Sequence, residues 1–232
     1  MTKKILITGA NGQLGHEMRN ALKGNNRFEC IFTDVAELDI CNAEAVKQTI
    51  ADNHIDYIVN CAAYTQVDKA EDNAELCKKI NTDAVENLAR AAADYGARMI
   101  HISTDYVFNG RGYRPYTEDV VPDPQSVYGS TKLEGEKILT DICPESIIIR
   151  TAWLYPPYGN NFVKTMLHLG EEREELSVVA DQIGTPTCAA DLAQAILVIL
   201  QADTFVPGTY HFSDEGACSW YDFTVTIHRL AG

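Results

Sequence analysis

Tyr128 and Lys132 stand four residues apart in the string Val127-Tyr-Gly-Ser-Thr-Lys132, a spacing that puts a phenol and an ammonium on one face of a helix running to about Thr140. A tyrosine with its ordinary pKa near 10 is a poor proton donor or acceptor at neutral pH. A neighbouring lysine cation favours the phenolate and brings the phenol toward a working range. Any amphipathic helix can carry Tyr and Lys at this spacing by accident, so the pair needs context. That context is Ser103-Thr-Asp-Tyr106, which ends an apolar segment of strand length, at the edge where parallel sheets bind ligands. A Thr104 hydroxyl there can hydrogen-bond the substrate oxygen that Tyr128 protonates, and the three groups suit reduction of a carbonyl by hydride from a cofactor. The competing reading of Thr104 is a strand-end hydroxyl tied to local backbone.

A cofactor site is expected upstream. Gly9-Ala-Asn-Gly12-Gln-Leu-Gly15 follows the first apolar segment and opens a helix. One glycine makes the tight turn, one lets the backbone approach a pyrophosphate, and one lets helix and strand pack closely, with the helix N-terminus facing the phosphates. Asp34 closes the second strand about 20 residues past the last glycine, where a carboxylate accepts hydrogen bonds from ribose hydroxyls, which favours NAD over NADP. Asp39 and Ile40 lie where an acid and an apolar side chain can flank an adenine; turn acid and core isoleucine is the alternative.

These residues need elements to hold them. Strand candidates run at Lys4–Thr8, Glu29–Thr33, Tyr57–Asn60, Met99–Ser103 and Ile147–Arg150, rich in Ile and Val as strands buried on both faces are. The clearest helix between them is Asn73–Tyr95, with Leu76, Ile80, Ala84, Leu88 and Ala92 on one face and Gly96 as a stop. Loops are expected at 109–115 and 155–160. Past residue 160 the spacing predicts a helix at Phe162–Leu169, a short strand at Leu176–Ala180, a helix at Leu192–Gln201, a strand at Tyr210–Phe212 and a helix start in Ser219–Gly232. The expected architecture is α/β: a Rossmann-type doubly wound parallel sheet over residues 1–150 that carries the catalytic groups, and a smaller, interwoven substrate lobe over 151–232.

The 232 residues carry a net charge of −14, which argues against nucleic acid or an anionic membrane as partner. No apolar run approaches the roughly 20 residues of a membrane helix. Met1-Thr-Lys-Lys4 leads into an apolar stretch too short for a secretory signal, so cytoplasm is the expected compartment. Seven cysteines (Cys30, Cys41, Cys61, Cys77, Cys143, Cys188, Cys218) are scattered without a Cys-x-x-Cys pair, as reduced thiols are, with no zinc site.

The glycine run, Thr104 and the Tyr128-Lys132 pair resemble the extended short-chain dehydrogenase/reductase superfamily. Further strings narrow the likeness: Asn60-Cys-Ala-Ala-Tyr-Thr-Gln-Val-Asp68, Ser103-Thr-Asp-Tyr-Val-Phe108, Arg150-Thr-Ala-Trp153, Gly159-Asn-Asn-Phe162 and Asp181-Gln-Ile-Gly-Thr-Pro-Thr187. Over nearly its whole length the chain is similar to the dTDP-4-dehydrorhamnose reductase family. The resemblance implies reduction of the C4 ketone of dTDP-4-dehydro-β-L-rhamnose by NADH or NADPH, in a monomer or homodimer. It implies that Gly12, Gln13 and Leu14 line the pyrophosphate, that Asp34, Asp39 and Ile40 surround the adenosine, and that Ala63, Tyr64, Thr65 and Ile102 touch the cofactor from the strand ends. Tyr128 would donate the proton, Lys132 would hold the nicotinamide ribose and lower the Tyr128 pKa, and Thr104 would polarise the ketone. Thr104, Asp105 and Trp153 would line the sugar-nucleotide site, with Thr65, Val67 and Tyr106 nearby.

Two departures accompany the likeness. Family members continue past Leu230-Ala-Gly232, so part of the nucleotide-sugar lobe is expected to be incomplete. Some members bind Mg²⁺ through glutamates; Glu17 matches one, but Ala190 stands where another would be, and no metal is expected. Within the superfamily, a dehydratase resembles Thr-Asp-Glu where this chain has Thr104-Asp-Tyr106, which argues against dehydration. A 4-epimerase or a reductase of another 4-ketosugar stays open, as does a non-catalytic NAD(P)-binding regulatory subunit, although that role would not need the Tyr-Lys pair.

Overall fold

The computed structural model describes residues 2–159 and 161–232. Met1 of the N-terminal string, and Asn160 of the 155–160 loop and of the Gly159–Phe162 motif, lie outside the described residues. Strands β1 (Lys3–Thr8), β2 (Phe28–Thr33), β3 (Tyr57–Asn60), β4 (Arg98–Thr104) and β5 (Ile147–Thr151) precede the short β6 (Leu154–Tyr155), β7 (Ile183–Gly184) and β8 (Thr187–Cys188); β9 (Gly208–His211) and β10 (Cys218–Ser219) follow. Six of them form one sheet in the order β2-β1-β3-β4-β5-β9, every neighbouring pair parallel. The helices are α1 (Gln13–Ala21), α2 (Ala43–Asn53), α3 (Val67–Asp72), α4 (Ala74–Lys78), α5 (Ala84–Tyr95), α6 (Val127–Ile142), α7 (Phe162–Glu172), α8 (Ala189–Gln201) and α9 (Trp220–Ala231).

Successive strand residues point to opposite faces, and both faces here are covered. Ile5 and Ile7 join Val59, Ile100, Ile147 and Ile149 in one apolar layer beneath α1 and α8. Leu6, between them, joins Ile58, Met99 and Ile148 in the other, beneath α2, α5 and α6. This explains why the strands read as unbroken apolar runs rather than alternating ones. From β1 the chain winds to β2 on one side and then to β3 on the other. That reversal opens a crevice at the carboxyl ends of β1 and β3.

Three expectations shift. The helix over 73–95 is interrupted by a π-helical turn at Lys79–Asp83, where Asn81 turns its side chain to the backbone of Tyr64 and Thr82 donates to the Thr131 carbonyl. Leu176–Ala180 forms no strand. Its side chains alternate in burial, but no neighbouring strand runs beside it; its backbone tie is a bond from Tyr221 N to Val179 O (2.9 Å). The strand expected at Tyr210–Phe212 begins earlier, as β9, and pairs with β5 in the main sheet. Among the described residues no helix is long and apolar enough to cross a membrane.

Candidate active site

The turn after β1 is shaped by contacts that exclude side chains. Gly9 has φ +64°, and a Cβ on it would sit 2.6 Å from Ala62 N; one on Gly15 would sit 2.3 Å from the Gly9 carbonyl oxygen. The N-cap residue of α1, Gly12, makes no side-chain capping bond, so this helix end presents backbone N–H groups to whatever lies in front of it. A cleft of about 560 Å³ opens there, lined by Gly9, Gly12, Asp34, Asp39, Ile40 and Ala63 together with Leu38, Cys41 and Leu76. The Asp34 carboxylate accepts from Asn11 N (2.9 Å) and Val35 N (2.8 Å), which holds it at the rim.

A second cleft of about 570 Å³ continues along the same strand ends and shares Gly12, Cys61 and Ala63 with the first. Gln13, Leu14, Thr65, Val67, Ile102, Thr104, Asp105, Tyr106, Tyr128, Lys132 and Trp153 line it, with Trp220 beside them. An elongated crevice with a glycine cradle midway fits a dinucleotide, its pyrophosphate at the start of α1. Of the residues expected to touch the cofactor, Gly15 and Tyr64 do not line either cleft. Gly15 is needed for helix and turn to meet, and Tyr64 is pinned through its backbone N–H and C=O by Asn81 (2.8 and 3.1 Å).

Two elements bring the hydroxyls together. Thr104 ends β4 and caps the 3₁₀ turn Asp105–Val107, accepting from Tyr106 N at 3.2 Å and donating to Asp105 Oδ1 at 3.1 Å. Helix α6 starts at the Ser126 N-cap, whose hydroxyl accepts from Gly129 N (3.1 Å). Its first turn lies directly on the Tyr106 carbonyl, because a Cβ on Gly129 would stand 2.2 Å from that oxygen. Tyr128 is thereby placed edge-on to Tyr106, ring centroids 5.5 Å apart, in the cleft that Thr104 also lines.

Burial pushes the Tyr128 pKa above its ordinary value, and the Thr104 hydroxyl pulls it partly back. Lys132, four residues on, lines the same cleft and reaches across to β4. Its side-chain nitrogen, fully buried, donates to the Ile102 carbonyl (2.6 Å) and lies 3.3 Å from His101 Nε2, so β4 fixes where it points. Burial draws its pKa down to about 8, against the pull of Glu136 and Cys77. Asp105 is pushed up to about 6 by burial, opposed by hydrogen bonds from Thr104 and backbone.

Trp153 sits at positive φ (+47°), a left-handed conformation that bulky residues adopt only when neighbours impose it. The imposing neighbours are Trp220, stacked on it at a centroid distance of 3.4 Å, and Gly184, where a Cβ would stand 2.4 Å from the indole. Trp220 lines the second cleft, and Asn60 and His101 stand behind it next to Lys132; Asn60 opens the Asn60–Asp68 string without a role assigned to it, and an isolated histidine inside an apolar strand is the one weak signal for His101.

The sequence matches the family described as RmlD substrate binding domain over residues 3–232. It is 46% identical to dTDP-4-dehydrorhamnose reductase of Escherichia coli K12, across 98% of this chain and 78% of the relative. The crystal structure of a dTDP-4-dehydrorhamnose reductase from Clostridium acetobutylicum superimposes with a TM-score of 0.95 at 52% identity, covering 99% of this chain and 80% of that one. The dTDP-4-dehydrorhamnose reductase of Bacillus anthracis, solved in complex with NADP, superimposes with a TM-score of 0.95 at 44% identity, covering 100% and 81%. With the fold, the crevice and these likenesses in agreement, the chain belongs to the dTDP-4-dehydrorhamnose reductase family.

Proposed function

We propose that the chain reduces the C4 ketone of dTDP-4-dehydro-β-L-rhamnose with NADH or NADPH, giving dTDP-L-rhamnose. The observation that carries this reading is the meeting of Thr104, Tyr128 and Lys132 in one cleft that runs on into the glycine cradle. When bound, the reduced nicotinamide supplies hydride to the ketone carbon. Thr104 and Tyr128 present hydroxyl groups to the ketone oxygen, and Tyr128 gives up its proton to that oxygen, which becomes the C4 hydroxyl. Lys132 holds the nicotinamide ribose and supplies positive charge beside the phenolate left behind. Trp153, backed by Trp220, offers a flat face to the deoxysugar, and Asp105, Thr65, Val67 and Tyr106 bound the space around it.

Asp34, fixed by two backbone N–H groups, accepts the adenosine ribose hydroxyls and disfavours a 2′-phosphate, so the reading favours NADH. Residues 151–232 act as the nucleotide-sugar lobe, woven onto the main sheet through β9. The protein works in the cytoplasm as a monomer or homodimer. The test is loss of 340 nm absorbance on mixing the protein with NADH or NADPH and enzymatically made dTDP-4-dehydrorhamnose. Sugar-dependent oxidation, faster with NADH, is expected; cofactor binding without oxidation would sink the reductase reading in favour of a regulatory binder.

A further inference from the structure

A buried chain of polar side chains runs behind the crevice. Thr8 Oγ1 donates to Asn60 Oδ1 (2.7 Å), Asn60 Nδ2 lies 3.0 Å from His101 Nδ1, and His101 Nε2 lies 3.3 Å from Lys132 Nζ. Asn60 and His101 are completely shielded from solvent. The orientation of the Asn60 amide is fixed by a group with no choice: the backbone N–H of Ala62 can only donate, and it points at Asn60 Oδ1 from 3.2 Å. The amide nitrogen therefore faces His101, and it too can only donate. His101 Nδ1 must accept. A neutral imidazole that accepts at Nδ1 carries its proton on Nε2, and complete burial is what keeps His101 neutral.

The consequence falls on Lys132. An ammonium has three donors and no lone pair, so an Nε2–H 3.3 Å away opposes it; an amine accepts that N–H and still donates to the Ile102 carbonyl. We propose that His101 is a positioning residue for Lys132, and that the Thr8-Asn60-His101 chain presents an N–H to the lysine nitrogen and so biases it toward the neutral amine in the free protein. The inference rests on reading Lys132 as the cation of the Tyr128 site. It adds that this charge is conditional: ribose hydroxyls offer acceptors that favour the ammonium, and His101 works against them.

The other charged and titratable groups around Lys132 are accounted for. Glu136, one turn further along α6, favours the ammonium but is itself held by Arg150 of β5 (2.6 Å). Cys77 of α4 also faces Lys132. Tyr128 on α6 and Asp105 after β4 share its cleft. Replacing His101 by Gln removes the imidazole Nε2–H and offers an amide carbonyl as an acceptor for the lysine.

Two measurements decide the matter. In two-bond ¹H–¹⁵N correlation spectra of protein carrying ¹⁵N-histidine, the His101 signals, identified as those missing from His101→Gln, are expected at neutral pH to show protonated Nε2 and bare Nδ1. An Nδ1–H tautomer or an imidazolium overturns the proposal, on unmodified protein. In pH profiles of kcat/KM, His101→Gln is expected to move the alkaline limb upward by about one unit; an unmoved limb also overturns it. Lys132→Met separates the layers: if it keeps wild-type turnover, the reading of Lys132 as the site cation fails, whereas if it loses turnover while the limb of His101→Gln stays put, only the role of His101 fails.

Discussion

The Asp105 carboxyl accepts the Thr104 hydroxyl at 3.1 Å and borders the sugar crevice, with its pKa pushed up to about 6 by burial. A carboxyl raised on folding binds its proton more tightly folded than unfolded, so its unfavourable contribution is absent below the unfolded pKa near 4 and present above about 6. A shift of this size corresponds to up to about 3 kcal/mol, which the half-buried position reduces to on the order of 1 kcal/mol. Asp105→Asn is therefore expected to be more stable than wild type at pH 7.5 and equal to it at pH 3.5 in urea unfolding; an unchanged difference at the two pH values would contradict the assignment. At this scale the sequence is legible where chemistry is local. Tyr128 and Lys132 announce themselves because one helix turn puts them on one face, and Asp34 and the glycines because turn and strand end are contiguous. Asn60, His101 and Trp220 do not, since each acquires its role from a partner on another strand or helix. The direction of Lys132 was equally hidden: helix spacing sets the face of a side chain, while the Ile102 carbonyl and His101 set where its end points.

Helix α6 delivers Tyr128 by lying flat on the turn after β4, and Gly129 is what permits it. Alanine is the better helix former by roughly 1 kcal/mol, but its Cβ would stand 2.2 Å from the Tyr106 carbonyl oxygen, and backbone cannot yield as a side-chain tip does. Overpacking of this kind typically costs about 1–3 kcal/mol. Gly129→Ala is expected to lower stability despite its propensity, and to lower kcat by a larger factor than it weakens NADH binding, because the displaced atoms are those of Tyr128 and Thr104. A stabilised variant with unchanged kcat would show that the helix does not need this approach. Element existence was mostly readable from apolar spacing, as in β1 and α5. The π turn at Lys79–Asp83 was not, because apolar residues still recur at helical intervals across it while Asn81 and Thr82 leave the helix for Tyr64 and α6. Leu176–Ala180 shows the converse: an alternating pattern becomes a strand only where another strand offers its backbone.

Across the whole molecule, the catalytic helix is fastened to the sheet by a buried ion pair, Arg150 Nε and Nη2 gripping both oxygens of Glu136 at 2.6–3.2 Å. Removing one partner of such a pair leaves an uncompensated charge and costs about 3–5 kcal/mol, while an exposed pair such as Lys4–Glu29 contributes at most about 1 kcal/mol. Glu136→Gln is expected to lower the urea midpoint strongly and Glu29→Gln barely; equal effects would contradict the anchoring role. The parallel sheet was evident from alternating strand and helix lengths, but the seat of β9 beside β5 was not, since parallel pairing depends on contacts far apart in the chain. The sheet order sets β1, β3 and β4 side by side at the centre of the sheet, so that cradle, hydroxyl and phenol share a crevice at their carboxyl ends. The claim on which everything turns is that Tyr128 is the proton donor in that crevice. Its most direct test is single-turnover oxidation of NADH by dTDP-4-dehydrorhamnose with Tyr128→Phe beside wild type, NADH binding being followed by fluorescence. The account predicts an NADH Kd near that of wild type and a rate lower by about 10²–10⁴; a wild-type rate in the variant would remove Tyr128 from the reaction.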